Sequence, residues 1–426
     1  MKRYILLFAI ASQCMLSSCS FFEKESSPKI SQSDSIYLYT YELMNYVYYW
    51  LDDMEQVNWR NYTDEDPADL MGDMIYKKYD RWSNVYAKKD LEYFFTGESM
   101  TYGFTPIFDA ENLCRVAIVY RQSPAFAAGM RRGSIIKKIN NTEPIFISDW
   151  SFMSGENLNS ITVTFSINGK DTIATIDKAE IVSDQILGYS IIPTSVGNTG
   201  YIAYESFTEL SSDSVVDVMK YFKSSDVTDL IIDLRYNGGG DIEVLTNWAN
   251  YLLPQSANNQ ALLKFSHNKY IATNFDSTVY AHPSAMSLGL NRVFVIVTEN
   301  TASASESLIN ILEPYMDVQV IGTTTHGKPV GMYVFEYQDW YLLPISFLTV
   351  NKNGKGGYFD GISPDLTMID QPSFEWGNPD DPSVAQALHF IENGNYKQSA
   401  LAMAPLKSIV QQPVPFKQIG LLAKRK

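Results

Sequence analysis

The chain has three cysteines in 426 residues, no Cys-x-x-Cys pair, and four histidines scattered at 267, 282, 326 and 389. That excludes a disulfide-stapled scaffold and supplies no clustered ligands for zinc, so neither a metal nor an organic cofactor is expected. Basic residues are scarce as well: 33 Lys and Arg stand against 48 Asp and Glu, a formal charge of −15. With no broad basic surface to meet a phosphate backbone, nucleic acid is not an expected partner. An apolar run of the roughly 20 residues that cross a bilayer is also missing. What is present is a 45% apolar composition, enough for a large core, over a length that suggests two or three domains. Aromatic residues reach 13%, with 28 tyrosines, which suits peptide or glycan contacts and equally suits half-buried packing.

The N-terminus reads as a processing signal. Lys2 and Arg3 precede the apolar run Tyr4–Ala11, and Leu16-Ser17-Ser18-Cys19 places small residues before a cysteine. This resembles a bacterial lipobox, which implies cleavage before Cys19, lipidation of its thiol, and a mature chain anchored to a membrane at the cell envelope. A plain secretory signal with a chance cysteine is the other reading. Residues 1–19 are thus expected to be a lipoprotein signal peptide. Residues 20–34, rich in Ser, Glu and Lys, are expected to be a tether. Apolar residues from Leu38 to Ile75 fall at three- and four-residue spacings, predicting a small helical domain over 35–95. From 96 to 185 the pattern is one of short alternating strands. There Ser123-Pro-Ala-Phe-Ala-Ala-Gly129 predicts a short helix, Gly133 a turn and Ile135–Ile139 a strand. The segment resembles that of PDZ domains, with Met130 for the usual leucine and Ser134 for the usual aspartate. By that resemblance Tyr102-Gly103-Phe104 stands where backbone N–H donors receive a peptide's terminal carboxylate, although a hairpin glycine would read the same way. Residues 190–393 alternate continuous apolar strands with helical patterns, as in an α/β core. Residues 394–426 lack a clear period and read as a weakly ordered tail.

Chemistry concentrates in three stretches. Thr298–Leu312 follows a buried strand and opens a helix, which puts Ser303 at a helix N-terminus where unpaired N–H groups favour a developing negative charge. The same serine serves equally as a cap, with Glu306 three residues on completing a capping box. Lys328, 25 residues after Ser303, is a base for a serine only if burial holds it neutral. Bringing a lysine from about 10.4 to near 7.5 takes about 4 kcal/mol, within what burial produces. Asp233-Leu-Arg235-Tyr-Asn237-Gly238-Gly239-Gly240 ends a strand with backbone able to approach a substrate closely. A nucleotide loop would instead need a Lys-Ser/Thr ending or GxGxxG spacing, so no nucleotide is expected.

In order along residues 35–391, Gly200-Tyr-Ile-Ala-Tyr-Glu-Ser-Phe207, the Asp233–Gly240 run, Thr301-Ala-Ser303-Ala-Ser305-Glu306-Ser, Lys328, Gly361-Ile-Ser-Pro-Asp365 and the Asp381–Ile391 helix resemble the C-terminal processing (tail-specific) serine peptidases. The chain is similar to their PDZ-containing lipoprotein form. The resemblance implies a multidomain α+β protein: a helical N-terminal domain, a PDZ-like β domain and an α/β peptidase core of ClpP/crotonase-like type. It implies a Ser303 nucleophile with Lys328 as base, and an oxyanion hole from the amides of Ala304 and Gly238 or Gly239. Ser305 and Glu306 would support the site, and the partners would be exported proteins with accessible C-termini. Two departures stand out. Family members carry a glutamine four residues after the lysine to orient it, where this chain has Met332, and His326 offers an alternative base with Asp233 as its acid. A catalytically degenerate peptide-binding scaffold at the envelope is the competing reading.

Overall fold

The computed structural model describes residues 35–91, 98–109, 111–143, 158–182, 185–397 and 421–423. Cys19 and the tether at 20–34 lie outside them. The described residues open with helices α1 (Ser35–Val47) and α2 (Pro67–Met74) and strand β1 (Asn84–Ala87). Asp66 caps α2 by accepting from Ala68 N, and Pro67 sits in the first turn, where a missing N–H is harmless. Leu43, Met44, Val47, Leu70 and Met74 are buried as their spacing predicts, while Leu38, Tyr41, Leu51 and Ile75 are half-buried. The region differs from a self-contained helical domain in sharing one apolar cluster with Val330, Met332, Leu342, Leu343 and Ile345 of the later core.

Strand β2 (Glu98–Thr101) leads into β3 (Phe104–Phe108), β4 (Cys114–Val119), helix α3 (Pro124–Ala127), β5 (Ile135–Ile139), β6 (Ser160–Ile167), β7 (Lys170–Asp177) and β8 (Ala179–Val182). β3 to β7 form one sheet in sequence order, with β3 at its edge. β2 pairs antiparallel with β8, so this β module enters and leaves through a two-stranded neck. Its own core holds Val116, Ala125, Met130, Ile136, Val163 and Phe165.

The α/β region starts at Ile186, a few residues before the expected boundary, with β9 (Ile186–Thr194), β10 (Gly197–Tyr204), α4 (Ser212–Ser224), β11 (Val227–Asp233) and α5 (Ile242–Leu252). There follow β12 (Ala261–His267), β13 (Thr278–Tyr280), β14 (Arg292–Val297), α6 (Ala304–Leu312), β15 (Asp317–Gly322), β16 (Val330–Tyr333), β17 (Phe335–Tyr337), β18 (Trp340–Leu343), β19 (Ile345–Asn351), β20 (Leu366–Thr367), α7 (Pro382–Asn393) and β21 (Leu421–Ala423). The main sheet runs β20-β15-β14-β11-β10-β9, parallel except for β9. Leu230 and Ile232 of β11 face α4, α5 and α6, while Ile231 faces α7. This double coverage explains the unbroken apolar run, each fully buried side chain being worth about 1.5–3 kcal/mol. A second sheet, β13-β12-β19-β16-β21, stands beside it, and β1 closes a small sheet with β18 and β17. Within the stretch expected to be a weakly ordered tail, Leu421–Ala423 pairs in parallel with Gly331–Tyr333, and residues 398–420 and 424–426 lie outside the described residues.

Candidate active site

β14 ends at Val297 and α6 begins at Ala304, and the turn between them fixes Ser303. Ser303 has φ +60° and ψ −110°, a left-handed conformation unusual for a residue with a Cβ, which stores about 1–3 kcal/mol where the surroundings enforce it. The surroundings do so through Glu306. Its buried carboxylate accepts from Ser303 N at 2.7 Å, Thr325 Oγ1 at 2.5 Å, Gly327 N at 2.6 Å and Lys328 N at 2.8 Å. One side chain thus ties the serine turn to the lysine segment. Burial raises the carboxyl's pKa, and these same hydrogen bonds oppose the rise. The capping box is only half made: Glu306 accepts from the Ser303 amide, while Ser303 Oγ is buried and makes no hydrogen bond.

The glycine run lies directly against this turn. Gly239 has φ +111°, and a Cβ there would lie 2.8 Å from Ser303 Cβ and 3.0 Å from Ala304 N, so only glycine fits. Asn237 holds the loops in register: its carbonyl accepts from Ala302 N and Ser305 Oγ, each at 3.1 Å, and its side-chain oxygen accepts from Gly239 N at 2.9 Å. The Gly239 amide is therefore engaged. Among the oxyanion donors named from sequence, Ala304 N, at the start of α6, and Gly238 N are better candidates. Beneath the loop Arg235 is buried among Asp233, Asp370 and Asp381, at 2.6, 2.8 and 3.0 Å. Tyr201 Oη donates to Asp233 at 2.7 Å.

Lys328 is wholly buried, and burial lowers its pKa from the ordinary 10.5 to about 7, with Asp80 and then Glu306 pulling the other way. Its Nζ stands 5.3 Å from the ring centroid of Trp82. Trp82 Nε1 donates to His326 Nε2 at 3.1 Å. His326 is held to about 4 by burial, Arg81 and Lys328, so it is neutral, with that nitrogen occupied. Asp233, the acid expected to serve a His326 base, is committed to Arg235 and Tyr201 instead. Met332 is buried in the cluster shared with α1 and α2. Asp80 and Trp82 went unrecognised in the sequence because no spacing rule links them to a segment more than 240 residues away.

Tyr102, Gly103 and Phe104 lie in the β module, at the start of edge strand β3, and all three are buried. Gly103 N donates to Thr101 Oγ1 at 3.3 Å, Gly103 O accepts from Tyr120 N at 3.0 Å, and Tyr102 O accepts from Ala125 N at 3.2 Å. The module is joined to the core by Arg132, whose side chain donates to Phe374 O at 3.0 Å and Tyr236 Oη at 3.3 Å and stacks 3.7 Å over Trp376. Tyr120 Oη also donates to Glu205 at 2.6 Å. Cys114 is buried with its thiol pushed up by burial, a poor nucleophile. No group of three His, Cys, Asp or Glu residues among the described residues is arranged to hold a metal ion.

A strained serine at a helix start, a buried lysine tied to it and a glycine loop against both make a constellation suited to acyl transfer. Residues 198–368 match the sequence model of peptidase family S41, in line with the resemblance to the C-terminal processing peptidases. A protein described as a CtpA-like serine protease of Staphylococcus saprophyticus is 24% identical over 314 residues, 71% of this chain and 60% of its own length. Its Staphylococcus aureus counterpart is 26% identical over 260 residues, 59% of this chain and 49% of its own length. The chain thus spans about half to three-fifths of these relatives. In fold it is similar to an S41 protease from Bacteroides fragilis, with TM-score 0.71 and 21% identity over 86% of this chain and 98% of that one. It is also similar to a photosystem II D1 C-terminal processing protease, with TM-score 0.53 and 17% identity over 84% and 98% of the two chains. The mixed α/β fold with several sheets is common to these S41 structures.

Proposed function

We propose that this chain is a serine endopeptidase of the C-terminal processing type, working through a Ser303–Lys328 dyad. Ser303 Oγ attacks the scissile carbonyl, Lys328 Nζ takes its proton and returns it to the departing amine, and water then hydrolyses the acyl-enzyme by the same route in reverse order. Ala304 N and Gly238 N stabilise the oxyanion. The observation that carries this reading is the complete burial of Lys328, which brings its pKa to about 7, on a segment that shares the Glu306 carboxylate with Ser303. A base near neutrality suits proton transfer in both directions.

The β module is read as a PDZ-like domain that presents Tyr102–Phe104 and the edge of β3 to the C-terminus of an unstructured protein. The N-terminal lipobox-like sequence supports an exported chain anchored through Cys19 at the bacterial cell envelope, with exported proteins as substrates. The test is cleavage of an unstructured protein such as casein by the parent, Ser303→Ala and Lys328→Ala. Cleavage by the parent that is lost in both variants, with the fold intact, fits the dyad; an inert parent across many unfolded substrates favours the peptide-binding scaffold.

A further inference from the structure

A segment far upstream in sequence, residues 80–83, packs against Lys328. Residues 80–83 form a tight turn in which Asp80 Oδ1 accepts from Trp82 N at 2.9 Å and Ser83 N at 3.0 Å. Asp80 Oδ2 accepts from Ser83 Oγ at 2.5 Å, and Ser83 Oγ accepts in turn from Ile345 N at 2.8 Å. Ile345 opens β19, the strand that pairs with β16 just after Lys328. The turn is therefore pinned to the same sheet as the lysine. From it the Trp82 indole projects to within 5.3 Å of Lys328 Nζ and donates to His326 at 3.1 Å.

We infer that the Asp80–Ser83 turn is the positioning element of Lys328: the Trp82 indole excludes water from the amine, and the Asp80 carboxylate, which holds the turn in shape, supplies its nearby counter-charge. This rests on the reading of Lys328 as the base. The ionisable groups facing Lys328 are Asp80 and Glu306, which favour its ammonium form, and His326, itself disfavoured as a cation by Lys328 and Arg81. Tyr48 lies beside Asp80, its hydroxyl accepting from Tyr76 N at 2.8 Å, and burial keeps it protonated. Asp80 and Trp82 therefore act on the amine with opposite signs. Removing the carboxylate leaves a buried amine that protonates less readily; removing the indole admits water and lets it protonate more readily.

The experiment is the pH profile of kcat/KM for casein cleavage by the full-length parent, Asp80→Asn, Asp80→Glu, Trp82→Ala and Lys328→Ala, with circular dichroism to confirm folding. Asn can still accept from Trp82 N and Ser83 N through its one oxygen, so Asp80→Asn deletes the charge and keeps two of the three hydrogen bonds that shape the turn, losing the one from Ser83 Oγ. Its acid limb is expected to fall by about one pH unit and its plateau about tenfold, with Asp80→Glu restoring the limb. Trp82→Ala is expected to move the limb the other way. Limbs unmoved in both Asp80→Asn and Trp82→Ala overturn the inference whatever happens to the plateau, and should one variant not fold, the other's limb decides. A fully active Lys328→Ala overturns the dyad itself.

Discussion

Replacing Lys328 with methionine should abolish cleavage and yet make the protein more stable. Lys328 is fully buried with a pKa near 7 against an ordinary 10.5. Between those values the unfolded chain holds a proton that the folded chain releases, so the lysine's contribution to stability improves as pH rises. At about 1.4 kcal/mol per pH unit, the buried amine costs about 4 kcal/mol at pH 7, about 2 kcal/mol at pH 9 and almost nothing above pH 11. Methionine fills a similar volume with no charge to desolvate, and imperfect repacking returns up to about 1.5 kcal/mol. The expected net gain is about 3 kcal/mol at pH 7, or roughly 6–12 °C in Tm for a core of this size. Urea unfolding followed by tryptophan fluorescence at pH 6.5, 8 and 9.5, on parent and variant, measures it. A difference that stays flat across this range would mean that the amine is not titrating inside the protein, and the argument for a neutral base would fail.

Glu306→Gln should be far from conservative, because each carboxylate oxygen receives two donors and an amide can present only one oxygen. Two donors then face an NH2 group, and at about 1–3 kcal/mol each the loss is about 2–6 kcal/mol of stability, read by the same unfolding curves, with cleavage falling in parallel. Gly239→Ala should leave the protein folded but inactive, since the new methyl lies 2.8 Å from Ser303 Cβ. A serine-directed fluorophosphonate probe that labels this variant at the parental rate would contradict that.

Much of the core was legible in the sequence because its signals are local. β14 occupies Arg292–Val297, its apolar run. α6 starts after Ser303, and the glycine run lies against that serine as the motif implied. Glu306 was visible as a capping residue, but three of its four donors come from residues 325–328 or their segment, reached only through the fold. The packing partner of the N-terminal region was out of reach for the same reason. Its helical spacing is genuine, yet the apolar face it buries belongs partly to β16, β18 and β19, which periodicity within 35–95 cannot reveal. The pairing of β21 with β16 was equally hidden, since three residues carry no period.

The contact between Trp82 and His326 closes a loop of 244 residues. Contacts of such separation form late, after the entropy of ordering the intervening chain has been met by nearer ones. A chain that has not yet folded keeps Lys328 in water, where it remains an ammonium ion and the proposed dyad has no base. The proposed Ser303–Lys328 dyad is therefore assembled by folding itself, because the burial that neutralises the lysine depends on segments more than 240 residues apart coming together.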